Sequence, residues 1–488
     1  MSALPGASPG RLGAALPRPA QLAVLAVFVV LGELALGVMV VNPRFLPLLA
    51  LGAALAAVAL VFRFPFAAVC GVLVLVASVL PVGLVKVPAG PVELTLAELA
   101  LGAVLIVALA RPQRAWWGGA AGGLLAAFLG LVAVTALLAI DAGRAQFSDA
   151  FATARPLALL TLFYVVVRLF PEPRQVHRLL TAAAVIAAIT GLVSVALATP
   201  GAPLADFVSE RIENAITTEE GLGAINRVRL PGVMLGFALF WYAAVRWAQG
   251  RGRERVGWLV VSLLIGASIA VSFNRNMWAG LVLGLAIVLA LAAPVRRQFL
   301  GVLVAVVAVG LGLAVSSARI GDESPVYPIV QRGATLFDPS TTSRESSLDD
   351  RRQENDAALP AIQEHPVVGV GAGASFGARS TVVQDNGART ERVDQLWVHN
   401  QYLHLALIGG LPTLLAFLAF VGVVLRGGLR RWSQDVPALA ITVALVTVLL
   451  SAVVMIYVVN ATGAAVIGLL CGAVAVLAAS PPPPRSSA

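Results

Sequence analysis

Long apolar runs broken by short, arginine-bearing connections dominate the chain. A membrane-crossing helix needs about 20 predominantly apolar residues. Candidate runs lie at 21–41, 45–62, 65–85, 94–110, 118–140, 155–170, 178–198, 229–248, 256–273, 276–294, 298–316, 404–425, 436–457 and 461–480. The stretch 256–294 has to be divided. As one helix at ~1.5 Å per residue it would reach about 58 Å, roughly twice the hydrocarbon thickness. The interruption FNRN at 273–276 therefore predicts a tight hairpin with Arg275 at its tip. At the bilayer centre an arginine would cost about 2.5–3.5 kcal/mol or more.

Alternating the spans gives a topology. With the N-terminus inside, Arg63, Arg111/Arg114, Arg174/Arg178, Arg251/Arg253/Arg255, Arg296/Arg297 and Arg426/Arg430/Arg431 all fall in short inner connections, as the positive-inside rule requires. The longer segments 199–228 and 317–399 fall outside, and 317–399 carries 12 of the 25 acidic residues. The expected organisation is N-terminal membrane helices (1–198), a membrane core with arginine-bearing outer connections (199–316), a large extracytoplasmic loop (317–399), C-terminal membrane helices (400–480) and a Pro-rich tail (481–488). Within the loop, DDRRQENDAALPAIQEHP reads as a short amphipathic helix with Ala357, Ala358, Leu359 and Ile362 as its apolar stripe, interrupted at Pro360. GVGAGASFG at 369–377 follows as a glycine-rich turn.

Composition agrees with this reading. Hydrophobic residues make up 59% of the chain and charged residues 12%, with a mean hydropathy of +0.90. A soluble domain of this length would need more charge on its surface. The net charge of +9 is spread as single or paired arginines between apolar runs, which is a topology signal and not a nucleic-acid face. Cys70 and Cys471 lie far apart in apolar runs without CxxC partners, so neither a disulfide framework nor a thiolate metal site is expected. The run at 21–41, preceded by Arg11 and Arg18, reads as an uncleaved first helix.

Two of the four histidines, His399 and His404, stand in WVHNQYLHLALIGG, where the polar segment returns to the membrane. Their spacing of five puts them on different helical faces, whereas a zinc pair prefers i,i+3 or i,i+4; no metal site is expected. An interfacial histidine taken alone is ordinarily structural. The topology, however, gathers Arg227, Arg229, Arg275, Arg351 and Arg352 on the same side as His399. Guanidinium groups bind phosphate oxygens bidentately, so arginines with an imidazole at the lipid boundary suit a lipid-linked phosphate. Snorkelling is the plain alternative for Arg229. Glu33 and Glu98 fall in apolar runs and are either functional carboxylates or partners of polar helix faces. GVGAG follows no βα unit and lacks a Walker lysine, and GxSxG and HExxH are absent.

Three local stretches, in order, resemble the O-antigen ligase and O-antigen polymerase (Wzy-C) superfamily of bacterial membrane glycosyltransferases. They are RLPGVMLGFALF at 229–240, NRNMWAGLVLGLAIVLAL at 274–291, and RRQENDAALPAIQEHPVVGVGAGASFG followed by HNQYLHLALIGGLPTLLAF. The chain departs from the family pattern at Asn355, where a tryptophan is frequent, and at Ile408, where a carboxylate is common. The resemblance implies an all-α polytopic membrane protein of about 12–14 transmembrane helices in the bacterial plasma membrane, with its large loop and active site outside. It implies transfer of a glycan from a polyprenyl-diphosphate-linked donor to a hydroxyl of a glycolipid, glycan or protein acceptor, without cofactor, metal or nucleotide sugar. His399 then becomes the general base, and Arg229, Arg275, Arg351, Arg227 and Asn400 the substrate-binding residues, with Arg229 and Arg275 on the diphosphate and Arg351 orienting donor or acceptor. His365, Gly369 and Gly371 are assigned to loop shape. The rival class is a secondary transporter or lipid-linked glycan flippase, with Glu33 and Glu98 as coupling sites. Against it, the chain has no halved symmetry and no paired Gly/Pro-broken spans.

Overall fold

The computed structural model describes residues 61–77, 86–89, 92–110, 118–199, 208, 216–217, 227–301, 303–304, 346–383, 390–431 and 435–480. The expected spans at 21–41 and 45–62, Glu33 and most of 298–316 lie outside the described residues or nearly so. The architecture is an all-α membrane bundle. Its helices are α1 Pro65–Ala77, α2 Leu96–Ala110, α3 Gly119–Asp141, α4 Phe147–Ala154, α5 Leu162–Leu169, α6 Pro173–Ala198, α7 Gly232–Gln249, α8 Gly252–Val271, α9 Arg275–Leu291, α10 Ser346–Glu364, α11 Gln401–Arg431, α12 Val436–Ser451 and α13 Ala461–Ala479. Among the described residues, three antiparallel two-stranded hairpins decorate it: β1 Lys86–Ala89 with β2 Val92–Thr95, β3 Ile216–Thr217 with β4 Arg227–Val228, and β5 Arg379–Val383 with β6 Thr390–Asp394.

Among the described residues, six helical segments are long and apolar enough to cross a membrane, or seven if the bent pair Arg275–Leu291 and Ala293–Gly301 is one span. Helices α1, α2 and α12 are shorter and also apolar. The protein is an integral membrane protein. The span expected at 155–170 starts earlier, at Phe147. Polar Ser148 and Asp149 mask its first turns, and a 3-10 segment, Arg155–Thr161, joins α4 to α5.

Local chemistry sets the helix ends. Asn274, Asp435 and Asn460 side chains cap α9, α12 and α13 by accepting from Asn276, Ala438 and Gly463 backbone N–H groups. Glu98 lies in the first turn of α2, where its carboxylate accepts from Thr95 N at 2.7 Å and pairs with Arg155 at 3.6 Å. Of its two readings, the structural one describes what the side chain does. Small residues bring the helices close: Gly468 and Gly472 of α13 sit against the Leu160 carbonyl and Val166. With 83% of its apolar window buried, α13 is the centre of the bundle.

The helices alternate in direction. The ends of α1, α3, α6, α8 and α12 therefore share one face with the starts of α2, α7, α9, α11 and α13. That face carries α10, the hairpins and the connection 395–400.

Candidate active site

The site is built where the loop helix α10 meets the entry of α11. One face of α10 repeats every four residues: Glu354, Ala358 and Ile362 are all buried. Ala358 and Ile362 pack with Val370, Phe376, Val398 and Leu407 in one apolar cluster that seats the loop on the bundle. Glu354 is the carboxylate in that stripe, 5% exposed. A buried charge must be bonded, and here it accepts three ways: from Gln395 Nε2 at 2.7 Å, from His399 backbone N at 3.0 Å, and from His399 Nδ1, 2.8 and 2.9 Å from its two oxygens. Burial alone would raise the Glu354 pKa. The bonds from the His399 ring and backbone and from Gln395, with the charge of His399, outweigh it and hold the carboxyl below its ordinary value.

An ionised carboxylate can only accept, so Nδ1 carries the proton. In the neutral imidazole, Nε2 then holds the free electron pair. Trp397 packs edge-on against the His399 ring with centroids 4.7 Å apart, fixing its plane. His399 precedes Asn400, the residue that opens α11. Asn400 Oδ1 accepts from Tyr402 and Leu403 N–H at 3.0 and 3.3 Å. That oxygen is therefore a helix cap, which leaves the Asn400 amide NH2 for any ligand.

His399 and Asn400 open into a cleft of ≈ 200 Å³ lined also by Arg351, Arg352, Asn355, Val453 and Val454. Arg351 and Asn355 stand one turn apart on α10. The Arg351 Nε is buried without a hydrogen-bond partner. A second, mainly apolar cavity of ≈ 320 Å³ lies on the same face, between the ends of α1, α2, α7, α9 and α13. Its polar lining includes Arg229 and Asn274, and Asn274 Nδ2 reaches Met455 Sδ at 3.6 Å. The turn after α12 divides the two: Val453 and Val454 face the His399 cleft and Met455 faces the apolar cavity.

The structure thus joins His399, Asn400 and Arg351 in one cleft and puts Arg229 in the neighbouring cavity. Arg275 opens α9 beside Asn274, half-buried, and lines neither space. The hairpin forms as expected, but its tip is Phe273, a buried residue with φ 50°, so Arg275 is the first residue of the helix. Arg227 Nε donates to the Ser272 carbonyl at 3.1 Å, tying β4 to the end of α8. His404 is fully buried one turn into α11, away from the cleft. Ile408 is buried too, so the carboxylate in this site comes from α10 and not from α11. Sequence reasoning passed over Glu354 as one more acidic loop residue. The signal was its i,i+4,i+8 register with Ala358 and Ile362.

The glycine-rich turn positions this constellation. Helix α11 is broken at Gly410 (φ 72°, ψ 179°). The loop supplies the bonds the break removes: Val370 N donates to the Leu407 carbonyl and Leu411 N to the Pro366 carbonyl, each at 2.8 Å. Gly369 (φ +66°) and Gly410 lie so close to Leu407 and Val367 backbone atoms that neither has room for a Cβ. Gly371 and Gly373 press likewise on α3 and on the start of α4, and Arg144 Nη1 donates to the Gly369 carbonyl at 3.4 Å. The helix entering with His399 and the loop bearing Glu354 are locked together by backbone. Among the described residues no three His, Cys, Asp or Glu side chains gather at metal-binding distance.

Residues 259–418 match the family model Wzy_C, O-Antigen ligase, a stretch that runs from mid-α8 past the Gly410 break and contains Glu354 and His399. The match covers about a third of the chain and supports the O-antigen ligase superfamily. The match supports an O-antigen ligase- or polymerase-like role in polysaccharide assembly and suggests a ligase- or glycosyltransferase-type enzyme; the family implies a lipid-linked glycan donor and an acceptor. No curated protein matches the chain.

Proposed function

We infer that this O-antigen ligase-family enzyme transfers a glycan from a polyprenyl-diphosphate carrier to an acceptor hydroxyl, with His399 as general base and no metal ion. The supporting observation is the Glu354–His399 pair opening into an arginine-lined cleft that shares the 453–455 turn with an apolar cavity.

The reaction places two demands on the chain: removal of a proton from the incoming hydroxyl and stabilisation of a departing diphosphate. His399 Nε2 accepts the hydroxyl proton while Glu354 stabilises the imidazolium that forms. The acceptor oxygen attacks the anomeric carbon of the donor sugar, and the C–O bond to the diphosphate breaks with its electron pair staying on phosphate. Arg351 in the cleft and Arg229 in the adjoining cavity are placed to bind that charge from two sides, since guanidinium is permanently charged and forked. Arg275, at the start of α9 and between them in sequence, is assigned to the same diphosphate. The apolar cavity suits the first isoprene units. Asn400 offers an amide donor to the sugars, and Arg227 holds the Arg229 strand in place. The acceptor is a glycolipid, glycan or protein hydroxyl. The His399 face is the outer face of the bacterial plasma membrane, because the arginines of the short connections 172–178, 250–255 and 426–435 all fall at the other end of the bundle.

The test is reconstitution in proteoliposomes with a polyprenyl-diphosphate oligosaccharide and a panel of glycolipid, glycan and peptide acceptors, in EDTA. Release of polyprenyl diphosphate coupled to glycosylation of one acceptor class is expected. Movement of the carrier between leaflets without transfer would instead establish a flippase.

A further inference from the structure

At the opposite end of the bundle, the starts of α1 and α6 and the end of α7 surround a third cleft, of ≈ 440 Å³. Phe66, His177, Arg178, Thr181, Tyr242 and Arg246 line it. Several of its polar atoms are already engaged. The Tyr242 and Thr181 hydroxyls donate to the His177 carbonyl at 3.2 and 2.8 Å. Arg246 Nη2 donates to Glu254 at 2.6 Å, and His177 Nε2 lies 3.8 Å from Asp435. Two nitrogens are not engaged: His177 Nδ1 and Arg246 Nε are buried without a hydrogen-bond partner. Arg178 stands exposed at the rim.

Buried polar atoms without partners are uncommon and call for a reason. Neither nearby carboxylate supplies one, because Glu254 engages a different guanidinium nitrogen and Asp435 faces the other ring nitrogen. A tetrahedral oxyanion with several acceptor oxygens would answer both atoms and Arg178 at once. The surroundings select its source. From Thr181 the same face of α6 continues through the apolar Val185, Ile189 and Leu192, which are 43%, 48% and 57% exposed, and Phe66 at the cleft edge is 41% exposed. A free phosphate has no use for that apolar stripe, whereas an acyl chain lies along it.

We propose that this cleft is a headgroup site for an anionic phospholipid, its phosphate held by Arg178, Arg246 and His177 and one acyl chain lying on Val185, Ile189 and Leu192. Basic pockets between membrane helices on one face recognise such headgroups. The site is independent of glycan transfer and stands or falls separately from it.

The full-length protein would be reconstituted in nanodiscs of equimolar phosphatidylglycerol and phosphatidylcholine, and retained lipid measured by native mass spectrometry after detergent extraction. Wild type is expected to retain phosphatidylglycerol selectively. Each arginine near such a surface contributes about 1 kcal/mol, so Arg178→Ala should reduce selectivity about 5-fold and Arg178→Glu about 30-fold. Arg297→Glu, a charge reversal at the same end of the bundle outside the cleft, should leave it within about 2-fold. Equal loss in both reversals, or no selectivity in wild type, would overturn the proposal. Displacement of the retained lipid by saturating inorganic phosphate would make free phosphate the ligand and overturn the lipid assignment.

Discussion

Glu354→Gln tests whether the buried carboxylate sets the chemistry of His399. The substitution keeps size and one carbonyl oxygen but removes the charge and puts an amide NH2 where only acceptors stood. Glu354 receives bonds from His399 Nδ1, His399 N and Gln395 Nε2 at 2.8, 3.0 and 2.7 Å. A glutamine can satisfy some of these donors but leaves its own NH2 facing another. Bonds to a charged group contribute about 1.5–3 kcal/mol against about 1 for neutral pairs, so orientation alone accounts for up to about 30-fold. If the amide NH2 faces the ring, Nδ1 becomes the acceptor and Nε2 carries the proton, which is the wrong tautomer for a base. The same change in the serine-protease triad costs about 10⁴-fold. The expected fall in kcat is therefore between about 30-fold and 10⁴-fold, with KM for the lipid-linked donor little changed, because the carboxylate does not line the cleft. Single-turnover transfer with saturating donor measures it, with the melting temperature as a check on folding. Glu354→Asp should recover part of the rate. A Glu354→Gln enzyme within about 3-fold of wild-type kcat, and correctly folded, would refute the reasoning.

Other outcomes follow from the same geometry. The Glu354 carboxyl is held below its ordinary value in the folded protein; a depressed folded pKa contributes stability above the unfolded pKa that is lost as pH falls through the folded one. Wild type should consequently lose melting temperature on acidification below the ordinary glutamate range more steeply than Glu354→Gln, and parallel curves would contradict this. Gly369→Ala should destabilise by about 2–4 kcal/mol, since it combines a left-handed φ of +66° with a blocked approach to Leu407; Gly377→Ala, at φ +88° with open space, should cost only about 1–2 kcal/mol, a contrast that thermal unfolding reads. Arg351→Lys should raise KM for the donor several-fold and Arg351→Ala more, because a forked guanidinium is not replaced by a point charge. Thr462→Trp, which fills the apolar cavity, should weaken binding of long-chain polyprenyl donors about 10-fold or more while leaving short-chain analogues less affected. Ser375→Cys, exposed on the glycine-rich turn, should label with an impermeant maleimide only from outside the cell, and Arg297→Cys only after permeabilisation.

Most of the fold was legible because hydrophobic run length is a direct reading of bilayer thickness. The expected spans within the described residues have their helices, including the division of 256–294 at FNRN. Where the boundary moved, at Phe147, polar residues and a 3-10 turn diluted the local hydropathy. Continuation of α10 through Pro360, where an interruption was expected, reflects tertiary seating of Ala358 and Ile362 on the bundle, a force that local propensity does not contain.

The candidate site was legible by residue type and only partly by arrangement. His399, Asn400 and Arg351 fall in one cleft, but the sequence reading, which gave Arg229 and Arg275 the diphosphate, gathered them with His399 on one face without separating two spaces. That Arg229 belongs to an adjoining cavity depends on how five helix ends converge. The Asn400 oxygen turned out to cap α11, a role its position before an apolar run already signalled. Glu354 was visible as a charge and not as a partner, since pairing across a separation of 45 residues depends on the loop docking onto α11. The Gly410 break is likewise invisible locally, because the hydrogen bonds that permit it come from Pro366 and Val370.

The central claim, that His399 removes the acceptor proton in glycan transfer from a polyprenyl-diphosphate donor, is tested most directly by single-turnover transfer with His399→Gln in EDTA, with donor binding measured on the same samples. The account predicts donor affinity within a few-fold of wild type and transfer lowered by about 10²–10⁴-fold. A His399→Gln enzyme that transfers glycan at the wild-type rate would contradict it.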